Sequence, residues 1–154
     1  MAKGNKKETK KASDTNEKRT IRPSGSSTDF YKPIWRFDWI DRSGDFAFNV
    51  DREDFQCHEV LEKMINYSGM SWQEIKSHTH DDGKSKHHFL NMESLSKSAI
   101  DRVQAKHLEE YSDNIFSFAL QNKLRIIGIR EKEYFYVVWY DPNHQFCPSA
   151  KKHT

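Results

Sequence analysis

Cysteine is nearly absent from this chain. Cys57 and Cys147 are the only two among 154 residues, far apart and without a CxxC partner, which excludes a disulfide framework and a cysteine-based zinc finger. A reducing, cytoplasmic setting is the corresponding expectation. Long apolar runs are missing too: none approaches the roughly 20 residues that cross a bilayer. The basic start, Met1 to Lys11, is followed by no apolar segment, so neither a membrane span nor a secretion signal is read and no membrane partner is expected. Hydrophobic residues reach only 35 %, against 31 % charged. No internal repeat or periodic low-complexity array occurs.

What the chain does have is aromatic bulk, 13 % Phe, Trp and Tyr, enough to build the core of one domain of this length. Charge is uneven. Met1 to Arg22 holds eight Lys/Arg against three acids, a balance of +5, which leaves −3 for the rest of a chain whose total is +2. Residues 1–29 carry few apolar groups and end in Pro23-Ser24-Gly25-Ser26-Ser27-Thr28; they are expected to form a disordered basic tail. A solubilising extension and a nucleic-acid-binding arm both fit such a block. Residues 30–146 are expected to form one α+β domain, and 147–154 a basic C-terminal tail.

Period-2 and helical patterns organise the domain. In Phe30 to Ile40, Trp35, Phe37 and Trp39 alternate with Arg36 and Asp38. That predicts a half-buried strand, at an edge because Pro33 cannot donate to a ladder. Asp51 reads as the N-cap of a helix whose stripe is Cys57, Val60, Leu61, Met64 and Ile65, and Ser71-Trp72-Gln73-Glu74 reads as a capping box. After a polar loop, Ser77 to His88, with four histidines, a second main helix is predicted from Met92 to Glu110. Ile115–Leu120, Leu124–Arg130 and Tyr134–Tyr140 then predict three strands in two antiparallel hairpins. The last is apolar on both faces and so central. The fold class is therefore α+β, two main helices on an antiparallel sheet that ends in β-hairpins.

The chemistry-bearing stretch is Leu124-Arg125-Ile126-Ile127-Gly128-Ile129-Arg130, then Tyr134 to Tyr140, then Asp141-Pro142-Asn143-His144. A basic residue on the penultimate strand and a histidine just past the last one converge if both reach the same end of the sheet. From Ile115 to His144 this pattern resembles the RelE/ParE superfamily of bacterial toxins from toxin–antitoxin pairs, many of which cleave messenger RNA on the ribosome. Arg125 matches the arginine opening the family's penultimate strand, and His144 the histidine near the end of its final strand. Two departures stand out: the region of Ala119 replaces an arginine common on the preceding strand, and Asp141-Pro142-Asn143 intervenes before the histidine. The resemblance implies RNA, including ribosome-bound mRNA, and an antitoxin protein as partners. The family also includes gyrase-directed toxins and members without nuclease activity, so the fold alone leaves the reaction open.

Cleavage of RNA by its own 2′-hydroxyl needs a proton acceptor, neutralisation of the phosphoryl oxygens and a proton for the leaving 5′-oxygen, and so no cofactor or metal. Imidazole suits either proton transfer, and guanidinium offers a fork to phosphate. His144 is the expected acid or base, Arg125 the phosphate clamp and Arg130 a second clamp. Arg125 and Arg130, five apart, face oppositely in a regular strand unless Gly128 marks a bulge. His87 or His88 is a candidate second imidazole. Lys132, Lys151, Lys152 and His153 are candidate nucleic-acid contacts. Each residue also has an ordinary reading: a turn histidine, a surface ion pair, a frayed terminus. Two other functions stay open, a module that binds nucleic acid or protein without catalysis, and a metal-dependent hydrolase using His78, His80, His87 and His88 with Asp81 and Asp82.

Overall fold

The computed structural model describes residues 27–148. The first described element is a 3-10 turn, Ser27–Phe30, within the stretch expected to be tail; the rest of that tail lies outside the described residues. Asp29 in that turn pairs with Arg130 and, at 2.6 Å, with Lys76, which ties the entry of the chain to the domain.

Five strands form one sheet: β1 (Ile34–Arg36), β2 (His88–Phe89), β3 (Ile115–Ala119), β4 (Arg125–Glu131) and β5 (Tyr134–Asp141), in the order β1-β5-β4-β3-β2. The three C-terminal strands pair antiparallel as the sequence predicts, and β5 is interior. β1 runs parallel to β5, so the sheet is mixed rather than purely antiparallel. It occupies the edge, where Pro33 removes no ladder bond, and it is short. The backbone turns after Arg36, so Trp35 packs on one side of the sheet and Trp39 on the other, while Phe37 is 46 % exposed. The three aromatics do not share a face.

Three α-helices cover both faces. On one, α1 (Cys57–Ser68) and α2 (Trp72–Ser77) bury Val60, Met64, Tyr67, Trp72 and Ile75 against Phe116, Phe118, Ile126, Phe135, Val137 and Tyr140. On the other, α3 (Lys97–Ala105) buries Ala99 and Val103 against Ile115, Ile127, Ile129, Val138 and Trp139. The result is an α+β domain with the sheet as its middle layer.

Local chemistry sets the boundaries. Asp51 is not a helix cap; it lies in a turn where its N–H donates to Asn49 Oδ1, and α1 opens only at Cys57. Cys57, Leu61 and Ile65 of the expected stripe face outward. Ser71 caps α2 by accepting the Glu74 N–H, the first half of the predicted box. The single helix expected over Met92 to Glu110 is divided into a 3-10 turn (Met92–Ser94), α3, and a 3-10 segment (Glu109–Asn114). Ser96 starts α3 by accepting the Ala99 N–H, and His107, at φ +56°, stops it.

Gly128 does mark a bulge. Ile127 pairs with Trp139 but Gly128 pairs with Val137, leaving Val138 as the extra residue. A Cβ at Gly128 would lie 2.0 Å from the Tyr136 carbonyl oxygen, so only glycine fits this approach. The insertion lies on β5, not β4. Val138 and Trp139 therefore both face α3, and Tyr140 joins Phe135 and Val137 on the α1/α2 face.

Candidate functional site

Three strand ends meet at one edge of the sheet. Ala119 closes β3, Arg125 opens β4 and Asp141 closes β5, and the three are register partners across the sheet. Beyond Asp141 the chain folds into a tight turn because both carboxylate oxygens of that buried residue accept backbone N–H groups, Oδ1 from Gln145 at 3.0 Å and Oδ2 from Phe146 at 2.9 Å. The turn holds His144 half-buried at φ +56°.

Arg125 lies in the same field. Its Nη1 donates to the carbonyls of Asn122 (2.7 Å) and Leu124 (3.0 Å). These bonds fix the guanidinium on the β3–β4 turn and leave Nε and Nη2 without an acceptor among the described residues. Burial is the largest influence on His144 and holds its imidazole below the usual range. Arg125 adds to that depression, Asp141 opposes it, and His88 and Lys123 add smaller pushes downward. His88, on β2, is lowered by desolvation first and then by Arg125 and His80, while the Ser85 carbonyl works the other way. Two imidazoles and one guanidinium thus act on one another at a single end of the sheet. Both rings are biased toward the neutral, proton-accepting form at pH 7.

His87 alternates to the inside and is only 1 % exposed. Its Nδ1 accepts the Ala119 N–H at 3.0 Å, and Tyr67 Oη donates to the Ala119 carbonyl at 2.7 Å. Two side chains therefore replace the ladder that β2 does not extend to the end of β3. Burial, with the positive charges of His78, Lys86, Arg125 and His88, pushes the His87 pKa down to about 3, and burial pushes Tyr67 up to about 12. His87 serves as a wall of the site rather than a second solvent-facing imidazole. Sequence reasoning missed the roles of Asp141 and Tyr67; the Asp-Pro-Asn turn was the available signal for the first.

The other basic candidates lie elsewhere. Arg130 is at the far end of β4, 5 % exposed, paired with Asp29 and centred 4.2 Å from the Trp72 ring. That position corrects its assignment as a second phosphate clamp: the bulge adds its residue to β5, so it does not bring the two arginines together, and no charge of Arg130 faces solvent. Lys132 is exposed in the β4–β5 turn at φ +55°, a strand length of about 20 Å from Arg125 at the usual rise per residue. It takes no part in the His144 end. Lys151, Lys152 and His153 lie outside the described residues.

The histidine loop is a small hairpin, bridged between Thr79 and Ser85. Among the described residues, no group of three or more His, Cys, Asp or Glu side chains is placed to hold a metal ion. The His87 tautomer adds a chemical reason. A nitrogen that accepts an N–H carries no proton, so the neutral ring has its proton on Nε2 and offers no lone pair there. Burial raises the pKa of Cys147, which argues against a reactive thiolate. A cavity of about 280 Å³ lined by Asp45, Arg52, Ser98, Asn143 and Gln145 adjoins the turn but is not lined by His144 or Arg125. No helix among the described residues is long and apolar enough to cross a membrane.

Comparison with models of known families, with curated proteins and with solved structures finds no match for this chain.

Proposed function

We propose that this protein is a toxin-like, metal-independent endoribonuclease acting in the cytoplasm on messenger RNA, with ribosome-bound mRNA as its substrate and an antitoxin as its protein partner. The observation that carries the reading is the meeting of His144, Arg125 and His88 at one strand end, with two guanidinium nitrogens of Arg125 free to meet an anion. Neutral His144 accepts the proton of the 2′-hydroxyl as that oxygen attacks phosphorus. The P–O5′ bond breaks, His88 in its protonated form gives a proton to the departing oxygen, and the products are a 2′,3′-cyclic phosphate and a 5′-hydroxyl. Arg125 neutralises charge building on the non-bridging oxygens. Because both imidazoles are shifted down, kcat/KM is expected to peak on the acid side of an ordinary imidazole.

The second reading, binding without cleavage, draws on the same depression: neither ring is largely protonated at pH 7, so proton donation is the weaker half of the cycle. One experiment separates them. The full chain is incubated with mRNA in excess EDTA, beside a His144→Asn variant chosen because asparagine tolerates left-handed backbone. The expected result is cleavage that survives chelation and falls by about 10²- to 10⁴-fold in the variant. Intact RNA bound with a steep salt dependence supports the binding module instead. Cleavage lost on chelation, or unchanged in the variant, overturns the mechanism.

A further inference from the structure

The unused atom at this end of the sheet is His87 Nε2, which is buried and has no hydrogen-bond partner among the described residues. Since Nδ1 accepts the Ala119 N–H, Nε2 carries the proton and is a donor lacking an acceptor. A buried unmet donor costs about 1–3 kcal/mol, and such a group calls for a reason. Its surroundings define what is missing. Tyr67 and Phe118 pack on the ring at 4.9 and 5.5 Å, and the His78 ring is 5.5 Å away. The charged neighbours acting on it, His78, Lys86, Arg125 and His88, are all basic or titrate to cations. A metal is disfavoured by the tautomer and by those charges; an anionic oxygen satisfies both. Above His87 lies the His78–Lys86 hairpin. Residues 79–86 are all exposed. Four of the hairpin's bonds are internal, from His80 N to Lys84 O, Gly83 N to His80 O, Lys86 N to His78 O and Lys84 N to Asp82 Oδ1, and Ser85 Oγ donates to Lys76 O at 3.3 Å.

We propose that the Nε2–H of His87 is the floor of a second phosphate subsite, walled by Arg125, Lys86 and His78 and closed in this conformation by the His78–Lys86 hairpin, which takes a backbone phosphate of single-stranded RNA beside the scissile one. The inference rests on the ribonuclease reading for the identity of the polymer, but binding tests it without cleavage. Opening the hairpin exposes a donor already aligned by Ala119 and already neutral, so no proton has to move when the anion enters.

The test uses the full chain labelled with ¹⁵N-histidine and two probes, inorganic phosphate and a single-stranded 2′-O-methyl oligonucleotide that cannot be cleaved. Both are expected to shift the His87 Nε2–H resonance downfield, and His87→Asn is expected to weaken oligonucleotide binding about tenfold. Asparagine retains an acceptor for the Ala119 N–H and lacks the far donor, which separates support of β3 from contact with ligand. Lys132→Ala, at the far end of the sheet, should bind the oligonucleotide like wild type. A Nε2–H resonance unmoved at saturating oligonucleotide overturns the subsite even if the Asn variant fails to fold, as does wild-type affinity in a folded Asn variant. Failure of the nuclease reading would show separately, as mRNA left intact by a protein that still passes both binding measurements.

Discussion

Arg125 and Arg130 sit on the same strand, five residues apart, and their environments are opposite. Arg130 is sealed: Asp29 and the Trp72 ring meet its guanidinium, and Asn114 holds its carbonyl. Arg125 is anchored through one nitrogen to turn carbonyls and acts electrostatically on two imidazoles and on the Asp141 carboxylate. A charge already matched by a buried acid contributes to the fold and has little left for a ligand. A charge that a nearby carboxylate, here Asp141, attracts without accepting its hydrogen bonds still has donors to offer an anion. Identical side chains thus divide between architecture and function according to what the ends of the sheet bring near them.

The largest test of that contrast is Arg130→Met against Arg125→Met. Removing Arg130 takes the guanidinium away from Asp29, whose mostly buried carboxylate also pairs with Lys76 at 2.6 Å. Loss of about 3 kcal/mol in urea denaturation is expected, as for one partner of a buried pair. Arg125→Met should cost about 1 kcal/mol, because it loses hydrogen bonds to turn carbonyls and an attraction to Asp141 that involves no direct ion pair, yet it should remove most RNA cleavage. Equal stability losses in the two variants would erase the distinction between the ends.

A smaller effect comes from acid. His87 has a pKa of about 3 in the folded chain against about 6.5 when unfolded. Between those values the unfolded state binds the extra proton, so stability is full above pH 6.5 and declines as pH falls toward 3. The expected loss is about 2 to 3 kcal/mol at pH 4.5 from this nearly inaccessible group, measured as the urea midpoint across pH. His88 and His144 are shifted in the same direction and steepen the decline. In His87→Asn the slope should flatten over that window. A wild-type midpoint that does not move between pH 7 and 4.5 would contradict the burial of a neutral imidazole.

Much of this architecture is written in local pattern. The period-2 runs of the C-terminal third gave β3, β4 and β5 to within a residue or two, because alternation states directly which side chains leave water. The same pairing puts Arg125 and the turn that carries His144 at one end of the sheet. Elements decided by distant partners were not legible. The parallel pairing of β1 depends on β5, a hundred residues away, and the outward turn of Leu61 and Ile65 depends on which side of α1 meets the sheet. The burial of Arg130 required knowing that Asp29, in a stretch read as tail, folds back to pair with it. His87 and His88 are indistinguishable as letters, yet strand geometry sends one inside and the other out. Gly128 is the one place where a bulge could turn the two arginines to a common face, and the bulge is there, but its extra residue falls on the opposite strand, where the Tyr136 carbonyl occupies the place of a side chain.

The finest division between the two ends uses lysines. Lys123 is in the turn before Arg125 and acts on His144, whereas Lys132 is in the turn at the Arg130 end and is exposed. If RNA tracks over the His144 end, Lys123→Ala should reduce the slope of log affinity against log salt by about 1, with a few-fold weaker binding at moderate salt. Lys132→Ala should leave both unchanged, and neither variant should alter stability by more than about 0.5 kcal/mol. The measurement is oligonucleotide binding by anisotropy over a salt series. A slope change in Lys132→Ala equal to that in Lys123→Ala would place phosphates across both turns, and the open end would then be one part of a longer basic track rather than the seat of recognition.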